Sequence, residues 1–347
     1  MAKHPPKIFL DANIVIGGGK PPGGPELARV IDLVEAGLVT VLTTDLTITE
    51  VAKKHVQNDL DLIRDICQPH FRKTVEFATG AKLPEIKRAE LKRRLSEAYE
   101  ASTKSMFRNL RAKTLAIDNV KPSVVFDAYA AGEGFFSSEG KKNQFPDAFT
   151  FECLKQEASE EPVIIVTQDG DFVKPARAEK NITLVKSLPE LFEKLGLEMQ
   201  VPEIDAFLED HKDELIEEVD RELSNWTLQG DVEDSEIDET IVTEVEVQNL
   251  TAFRPTAKGD PILVIGRLAV KANVSYTHPN WDEAIYDSED KVLVPFEDVN
   301  GETEVDLEID VSMSLLVGDD GEPEQIDELR FRNDNFVYVT LHPYDYD

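Results

Sequence analysis

The hydrophobic period of the chain changes near residue 200, and this change limits what the chain can fold into. Before it, short apolar runs such as "KIFL" and "VIIV" alternate with segments of helical spacing. This β-α-β-α order predicts a parallel sheet with helices on both faces. After it, apolar and polar residues alternate, as in "TEVDLEIDVSM", which predicts an antiparallel sheet with one buried face. We therefore expect an α/β domain over residues 1–200. A separate acidic, β-rich domain over residues 201–347 should begin with one helix.

Spacing and capping residues predict where individual elements begin and end. We expect "KIFLDANIVI", residues 7–16, to form a strand that runs into a turn before a glycine- and proline-rich loop. "FPDAFTFECLKQEA", residues 145–158, has the pattern of a helix. Longer amphipathic or polar stretches predict three more helices without interruption: residues 45–67, 85–115 and 204–226. Thr47 or Thr49 is the expected cap of the first of these three.

The formal net charge of −32 is concentrated in the second half of the chain. Residues 201–347 contain 9 Lys/Arg and 40 Asp/Glu, whereas residues 1–200 contain 28 Lys/Arg and 29 Asp/Glu. Such an asymmetry is typical of two units with different partners. Three roles fit the acidic unit: a plain soluble domain, a surface for a basic protein partner, or a nucleic-acid mimic that covers and restrains the first unit. Its charge would repel a polyanionic substrate, so we do not expect it to be the substrate platform.

The cysteine content and the absence of long apolar runs indicate a compartment. The two cysteines, Cys67 and Cys153, predict neither a disulfide framework nor a thiolate metal site. The first residues, "MAKHPPKIFL", lack the apolar core of a secretory signal, and no apolar run is long enough to span a membrane. We therefore expect a cytoplasmic protein with no membrane partner. The sequence leaves a homo-oligomer open.

Four carboxylates of the first unit follow strand ends or begin helices. Asp11 comes directly after "KIFL", and Asp169 comes shortly after "VIIV". Glu50 lies in the first turns of the helix after "LVTVLTT", and Asp147 lies in the first turn of "FPDAFTFECLKQEA". Parallel α/β sheets bind ligands outside the carboxyl ends of their strands, so we expect these carboxylates to share one edge. An alternative interpretation of Asp169 and Asp171 is an Asx turn, in which one of the two, with Asp171 favoured, has a structural role and is not a ligand.

The segments that carry these carboxylates resemble the four acidic motifs of PIN-domain nucleases. The motifs are "FLDANIVI", "TITEVAKK", "FPDAFTFECL" and "VTQDGDF", and the resemblance covers residues 7–195. It implies catalysis and metal ligation by Asp11, Glu50, Asp147 and Asp169, with Asp171 as a nearby ligand. It also implies supporting roles for Asn13 and Thr167. The family includes the ribonuclease toxins of toxin–antitoxin systems, so the resemblance implies a metal-dependent endoribonuclease with a toxin or phage-defence role.

Simple electrostatics agrees with a metal at such a site. Several carboxylates in one place repel one another, and they either bind a cation or take up protons. Oxygen ligands without Cys or His favour Mg²⁺ or Mn²⁺ over Zn²⁺. One spacing departs from the small toxins of the family: 97 residues separate Glu50 from Asp147. The extra length leaves the choice of substrate open.

Basic residues between the motifs are candidates for nucleic-acid binding. Residues 82–113 contain 10 Lys/Arg and 4 Asp/Glu, which is consistent either with a solvated helix face or with a surface that binds phosphates. The candidate contacts are Arg93, Arg94, Arg108 and Arg111 from this stretch, with Lys141 and Lys142 just before Asp147. We expect nucleic acid, RNA in the first place, as the substrate. The alternatives are a DNA nuclease and a catalytically silent PIN-like interaction module.

Overall fold

A computed structural model of the chain describes residues 5–137, 144–199, 202–287, 292–295, 297–332 and 336–341. The chain divides into two compact units, residues 1–195 and residues 196–347. No helix within the described residues combines the length and the apolar character that crossing a bilayer requires.

The first unit is built on a parallel sheet. Its strands are β1 (Lys7–Leu10), β2 (Thr40–Thr44), β3 (Lys113–Leu115), β4 (Val163–Val166) and β5 (Ile182–Val185). They pair in the order β3-β2-β1-β4-β5, and every pairing is parallel. Three consecutive residues of β1, Ile8, Phe9 and Leu10, are each 0% exposed. Because successive side chains of a strand point to opposite faces, the sheet is covered on both faces, and the predicted α/β class is confirmed.

Helices fill the connections between these strands. Their bounds are α1 (Ala12–Gly17), α2 (Pro25–Glu35), α3 (Asp45–Leu62), α4 (Pro69–Thr79), α5 (Arg88–Asn109), α6 (Pro122–Ala131), α7 (Phe145–Ala158), α8 (Val173–Arg177) and α9 (Leu188–Lys194). Helix α7 has the predicted bounds. Its apolar residues Phe151 and Leu154 pack in one core cluster with Phe9 of β1 and Ile165 of β4. The first turn of α7 is therefore held against the two central strands.

The predicted strand over residues 7–16 is wrong beyond Leu10. Asp11 has an extended backbone conformation, and its side chain accepts a hydrogen bond from the Ala12 N–H, so it caps α1. Ala12 and Val15 are one helical turn apart and are both buried. The apolar run therefore continues at helical spacing rather than as a strand.

Two of the other predicted helices also differ from the structure. The helix predicted over residues 45–67 ends at Leu62, with a short 3₁₀ turn over Arg64–Cys67. Its cap is Thr44, whose hydroxyl accepts from the Thr47 N–H, and not Thr47 or Thr49. The helix predicted over residues 85–115 ends at Asn109, because Arg111 adopts a left-handed φ of 45°. The residues that follow, Lys113–Leu115, form the edge strand β3.

The described part of the second unit contains two α-helices and a sheet with long strands. Its elements are β6 (Glu198–Met199), α10 (Pro202–Asp210), α11 (Lys212–Leu223), β7 (Thr227–Gly230), β8 (Glu236–Phe253), β9 (Ile262–Pro279), β10 (Ile285–Asp287), β11 (Val292–Val294), β12 (Asp298–Val317), β13 (Pro323–Phe331) and β14 (Phe336–Val339). Five strands pair antiparallel in the order β13-β12-β9-β8-β6, which confirms the predicted β-rich class. Strands β7 and β14 form a separate parallel pair.

The single helix predicted over residues 204–226 is wrong, because the chain leaves the helical conformation at His211. The His211 backbone has φ −110° and ψ 31°. Its ring stacks on Phe207 with centroids 4.1 Å apart, and its Nδ1 lies 2.9 Å from the Phe207 carbonyl oxygen. This local contact accompanies the break between α10 and α11.

The alternation predicted along β12 is confirmed. Val305, Leu307, Ile309 and Val311 are buried in a core that also contains apolar residues of β9, β13 and α11. Glu304, Asp306 and Glu308, which lie between them, are exposed. The buried face is apolar and the outer face is acidic, as a half-solvated antiparallel sheet requires.

This alternation predicts opposite effects for neighbouring residues of β12. Replacing Ile309, which is 0% exposed, with Ala should lower the free energy of unfolding of the second unit by about 2–5 kcal/mol. Glu308→Ala should leave it within about 0.5 kcal/mol. Both tryptophans, Trp226 and Trp281, lie in this unit, so tryptophan fluorescence during urea unfolding reports on it alone. Equal losses in the two variants would contradict the assigned faces of the sheet.

Candidate active site

Two carboxylates of the site come from the central strands. Strands β1 and β4 pair with Leu10 opposite Val166. The Asp11 N–H then donates to the Val166 carbonyl oxygen at 3.0 Å, which extends the ladder one residue past the strand. Asp11 and the segment Thr167–Asp171 therefore lie at the same carboxyl edge of the sheet.

A continuous chain of hydrogen bonds holds this edge together. Thr167 Oγ1 donates to Asp11 Oδ2 at 2.6 Å and accepts from the Asp169 N–H at 3.0 Å. Asp169 Oδ1 accepts from the Asp171 N–H at 2.8 Å, which is the Asx turn expected from the sequence. Gln144 Nε2 donates to Asp171 Oδ2 at 2.7 Å. Side chains from β1, from the loop after β4 and from the residue before α7 are thus fixed relative to one another.

Helices supply the other two carboxylates. Glu50 lies in the second turn of α3, which is capped by Thr44 at the end of β2. Asp147 lies in the first turn of α7. The charges of Asp11, Glu50, Asp169 and Asp171 all act on Asp147, so its carboxyl group lies within electrostatic range of the other four.

The electrostatics of the site disfavours full ionisation. Burial, with the charges of the other four carboxylates, raises the pKa of Asp147 from 3.8 to about 7. Burial also raises the pKa of Asp11, and the charge of Asp169 adds to it, against hydrogen bonds from Thr167 and Ala12. Glu50 reaches solvent, yet partial desolvation and the charge of Asp11 raise its pKa as well. The carboxylates therefore lie close enough to repel one another through a partly dry medium.

Whether the site could hold a cation depends on how closely its oxygen atoms are grouped and on which of them already accept hydrogen bonds. Within the described residues, no three Asp, Glu, His or Cys side chains are grouped tightly enough to hold one metal ion. Both Asp11 oxygens are engaged by protein donors, the Ala12 N–H at 2.8 Å and the Thr167 hydroxyl. Gln144 Oε1 and Asn13 Oδ1 are buried without a hydrogen-bond partner, so each is an oxygen in need of a donor or a cation. The donor set, all oxygen, fits a hard divalent ion.

The sequence analysis did not identify Gln144. This residue immediately precedes α7 and links Asp171 to the start of the helix that carries Asp147. Its position just before the "FPD" motif is the only pattern that could have marked it. Asn13 lies in α1, two residues after Asp11.

Four of the six predicted nucleic-acid contacts fall within the described residues, on α5 or directly after it. Arg93 and Arg94 are exposed on α5, and each pairs along the helix, with Glu97 at 2.7 Å and with Glu90 at 2.5 Å. These pairs partly neutralise the basic helix face, which favours the interpretation of a solvated face for these two residues. Arg108 and Arg111 are exposed at the carboxyl end of α5, and Arg111 lies 3.7 Å from Glu35. Lys141 and Lys142 lie outside the described residues.

Together, a five-stranded parallel sheet and an acidic edge define an α/β domain of nuclease type. Comparison with protein families identifies the domain more closely, because the family model of the PIN domain matches residues 8–172. The N-terminal unit belongs to the PIN domain family, and the resemblance seen in the four motifs is confirmed. PIN domains are generally metal-dependent nucleases that act on nucleic acid. No curated protein and no solved structure matches the chain significantly.

The raised pKa of Asp147 predicts a pH-dependent stability of the metal-free protein. The folded state holds the Asp147 proton more tightly than the unfolded chain, so stability is lost as the pH rises from 3.8 to about 7. In EDTA, Asp147→Asn should therefore melt at a higher temperature than the wild type above pH 7, and the difference should shrink towards pH 4. The exposed Asp61→Asn is the matched control and should show no such trend. A difference in melting temperature that is the same at both pH values would contradict the assigned cause.

Proposed function

We propose that the N-terminal unit is a metal-dependent endonuclease that hydrolyses phosphodiester bonds, with RNA as its first substrate class. The observation that carries this proposal is the chain of hydrogen bonds that holds Asp11, Asp169 and Asp171 at the carboxyl edge of the sheet and ties them to Gln144, the residue before α7. Membership of the PIN domain family supports the reaction class. The preference for RNA over DNA rests on the resemblance to ribonuclease toxins.

Each residue of the site has a role in this proposal. Asp11, Glu50, Asp147 and Asp169 are the residues that would hold Mg²⁺ or Mn²⁺, and because no three described carboxylates are yet grouped within reach of one ion, binding would draw their side chains together. Asp171 lies at the margin because Gln144 already binds its carboxylate. When bound, such an ion lowers the pKa of a water molecule and neutralises charge on the phosphodiester. Thr167 orients Asp11 through a 2.6 Å hydrogen bond. Asn13 and Gln144 offer neutral oxygens to the site.

The protein itself contributes orientation and a proton site. Asp11 is fixed at both oxygens, so little side-chain entropy remains to be lost when it binds a ligand. In the metal-free protein, Asp147, with its pKa raised to about 7, can hold a proton near neutral pH. A cation bound among these carboxylates would lower that pKa, because it stabilises the ionised form.

The proposal predicts that Asp11→Asn abolishes cleavage without unfolding the protein. Asn can still accept from the Ala12 N–H and donate to the Thr167 oxygen, so the packing is retained, but the charge is lost. Loss of a charged ligand should reduce the cleavage rate by more than about 100-fold, since even partners of ligands are worth about 10- to 100-fold. The measurement is hydrolysis of matched RNA and DNA oligonucleotides with Mg²⁺ or Mn²⁺, with Asp61→Asn as control. Activity in Asp11→Asn, or activity that survives EDTA, would move the chemistry elsewhere. A wild-type protein that cleaves neither substrate would favour the silent interaction module.

A second prediction separates the orienting role of Thr167 from ligation. Thr167→Val keeps the shape of this buried side chain, which is 4% exposed, and removes its hydrogen bonds to Asp11 and from the Asp169 N–H. The cleavage rate should fall by about 10- to 100-fold, and added metal should restore part of it if Asp11 binds the ion less well. Titration of the rate with Mn²⁺ in the wild type and the variant tests this expectation. Identical titration curves would show that the hydrogen bond does not position Asp11.

A further inference from the structure

Helix α6 exposes aromatic rings to solvent next to the candidate active site. The Phe126 and Tyr129 rings of α6 lie 5.2 and 5.1 Å from the Phe145 ring, the first residue of α7. Phe136 contacts both Phe145 and Tyr129, at 4.9 and 5.3 Å, and supports them from the buried side. We call Phe126, Tyr129 and Phe145 the aromatic platform.

The rings of the aromatic platform are more exposed to solvent than is usual for apolar side chains. Helix α6 is largely apolar, yet Val125 is its one buried residue. Phe126 is 53% exposed and Tyr129 is 39% exposed. Exposed aromatic area costs free energy in water, and contiguous exposed apolar patches are typical of binding surfaces.

The position of the platform relates it to the carboxylates. Phe145 and Asp147 both belong to the first turn of α7. Gln144, the residue before Phe145, donates to Asp171 of the candidate site at 2.7 Å, so the rings and the carboxylates lie at the same end of α7. A phosphate held at the carboxylates would place a neighbouring nucleotide within reach of the rings.

We infer that the aromatic platform binds an unpaired base that flanks the scissile phosphate, and thereby selects single-stranded substrate. The inference rests on the proposed nuclease function. Aromatic rings bind bases by stacking, and this interaction tolerates any base because every base has a π face. Bases within a duplex are already stacked on their neighbours and cannot reach the rings. Asp127, exposed beside Phe126 on α6, disfavours a phosphate there, so the platform suits a base rather than the backbone.

The experiment compares ring variants in binding and cleavage. Fluorescence anisotropy with a labelled single-stranded RNA and with the matched duplex gives the affinities, and the cleavage assay gives kcat and KM. Phe126→Ala and Tyr129→Ala should each weaken single-strand binding by about fivefold or more and raise KM, with little change in the weaker duplex binding. Phe126→Leu, which keeps an apolar side chain without a π face, should lose as much as Phe126→Ala. Phe126→Trp should bind at least as well as the wild type. Phe77→Ala on α4 removes a ring that is 93% exposed and should change nothing, which controls for the loss of any surface aromatic.

Four outcomes would overturn the inference. Unchanged affinity in the ring variants of a protein that cleaves RNA would leave the nuclease function standing and reject the platform. Full activity in Phe126→Leu would show a hydrophobic contact rather than stacking. Ring variants that change the molar mass in light scattering and not the affinity for RNA would assign the patch to a protein interface. Failure of the wild type to bind or cleave any nucleic acid would reject the proposed function, and the platform with it.

Discussion

The parallel pairing of β1 with β4 is the constraint on which the candidate site depends. It sets Leu10 opposite Val166, and the ladder then continues through the Asp11 N–H. This register places Asp11 beside Thr167 and allows their 2.6 Å hydrogen bond. The register is in turn fixed by packing, because β1 is buried on both faces and a slip of one residue would exchange those faces. The packing of the core therefore also determines the geometry of the candidate site.

The carboxylate of Asp147 lies at the amino end of α7, in surroundings that disfavour its negative charge. The amino end of α7 favours a negative charge by about 0.3–1 kcal/mol through the helix dipole. The pKa of Asp147 is nevertheless raised to about 7, so desolvation and repulsion from the other carboxylates outweigh the dipole. The same helix buries Phe151 and Leu154 against the sheet, and this packing holds the charged turn in place. A buried carboxylate that is repelled by its neighbours costs folding stability, and such costly residues are typical of functional sites.

The sequence predicted those features that depend on a single residue type or on a regular spacing of apolar residues. Helix α7 and the alternation of β12 follow from apolar spacing, and the carboxylate edge follows from strand ends in a parallel sheet. It did not predict that the run after Leu10 turns into a helix, because a short apolar run fits both periods and a single cap decides between them. It did not predict β3, whose three residues become a strand only by pairing with β2. Gln144 was missed because its role is a contact with Asp171, 27 residues away.

The acidic unit carries nearly all of the net negative charge of the chain. On the outer face of its sheet, Arg267 pairs with Asp310 at 2.8 Å and Lys271 with Glu244 at 3.0 Å, but water and salt screen exposed pairs of this kind, so they contribute little to stability. With 9 Lys/Arg against 40 Asp/Glu over residues 201–347, pairing within the unit leaves a large negative excess. That excess repels a polyanion and attracts a cationic partner within a Debye length of about 8 Å at physiological salt. Residues 1–200 are nearly neutral by comparison, with 28 Lys/Arg and 29 Asp/Glu, so a nucleic acid meets far less repulsion there. The charge distribution is therefore consistent with the expectation that the acidic unit is not the substrate platform.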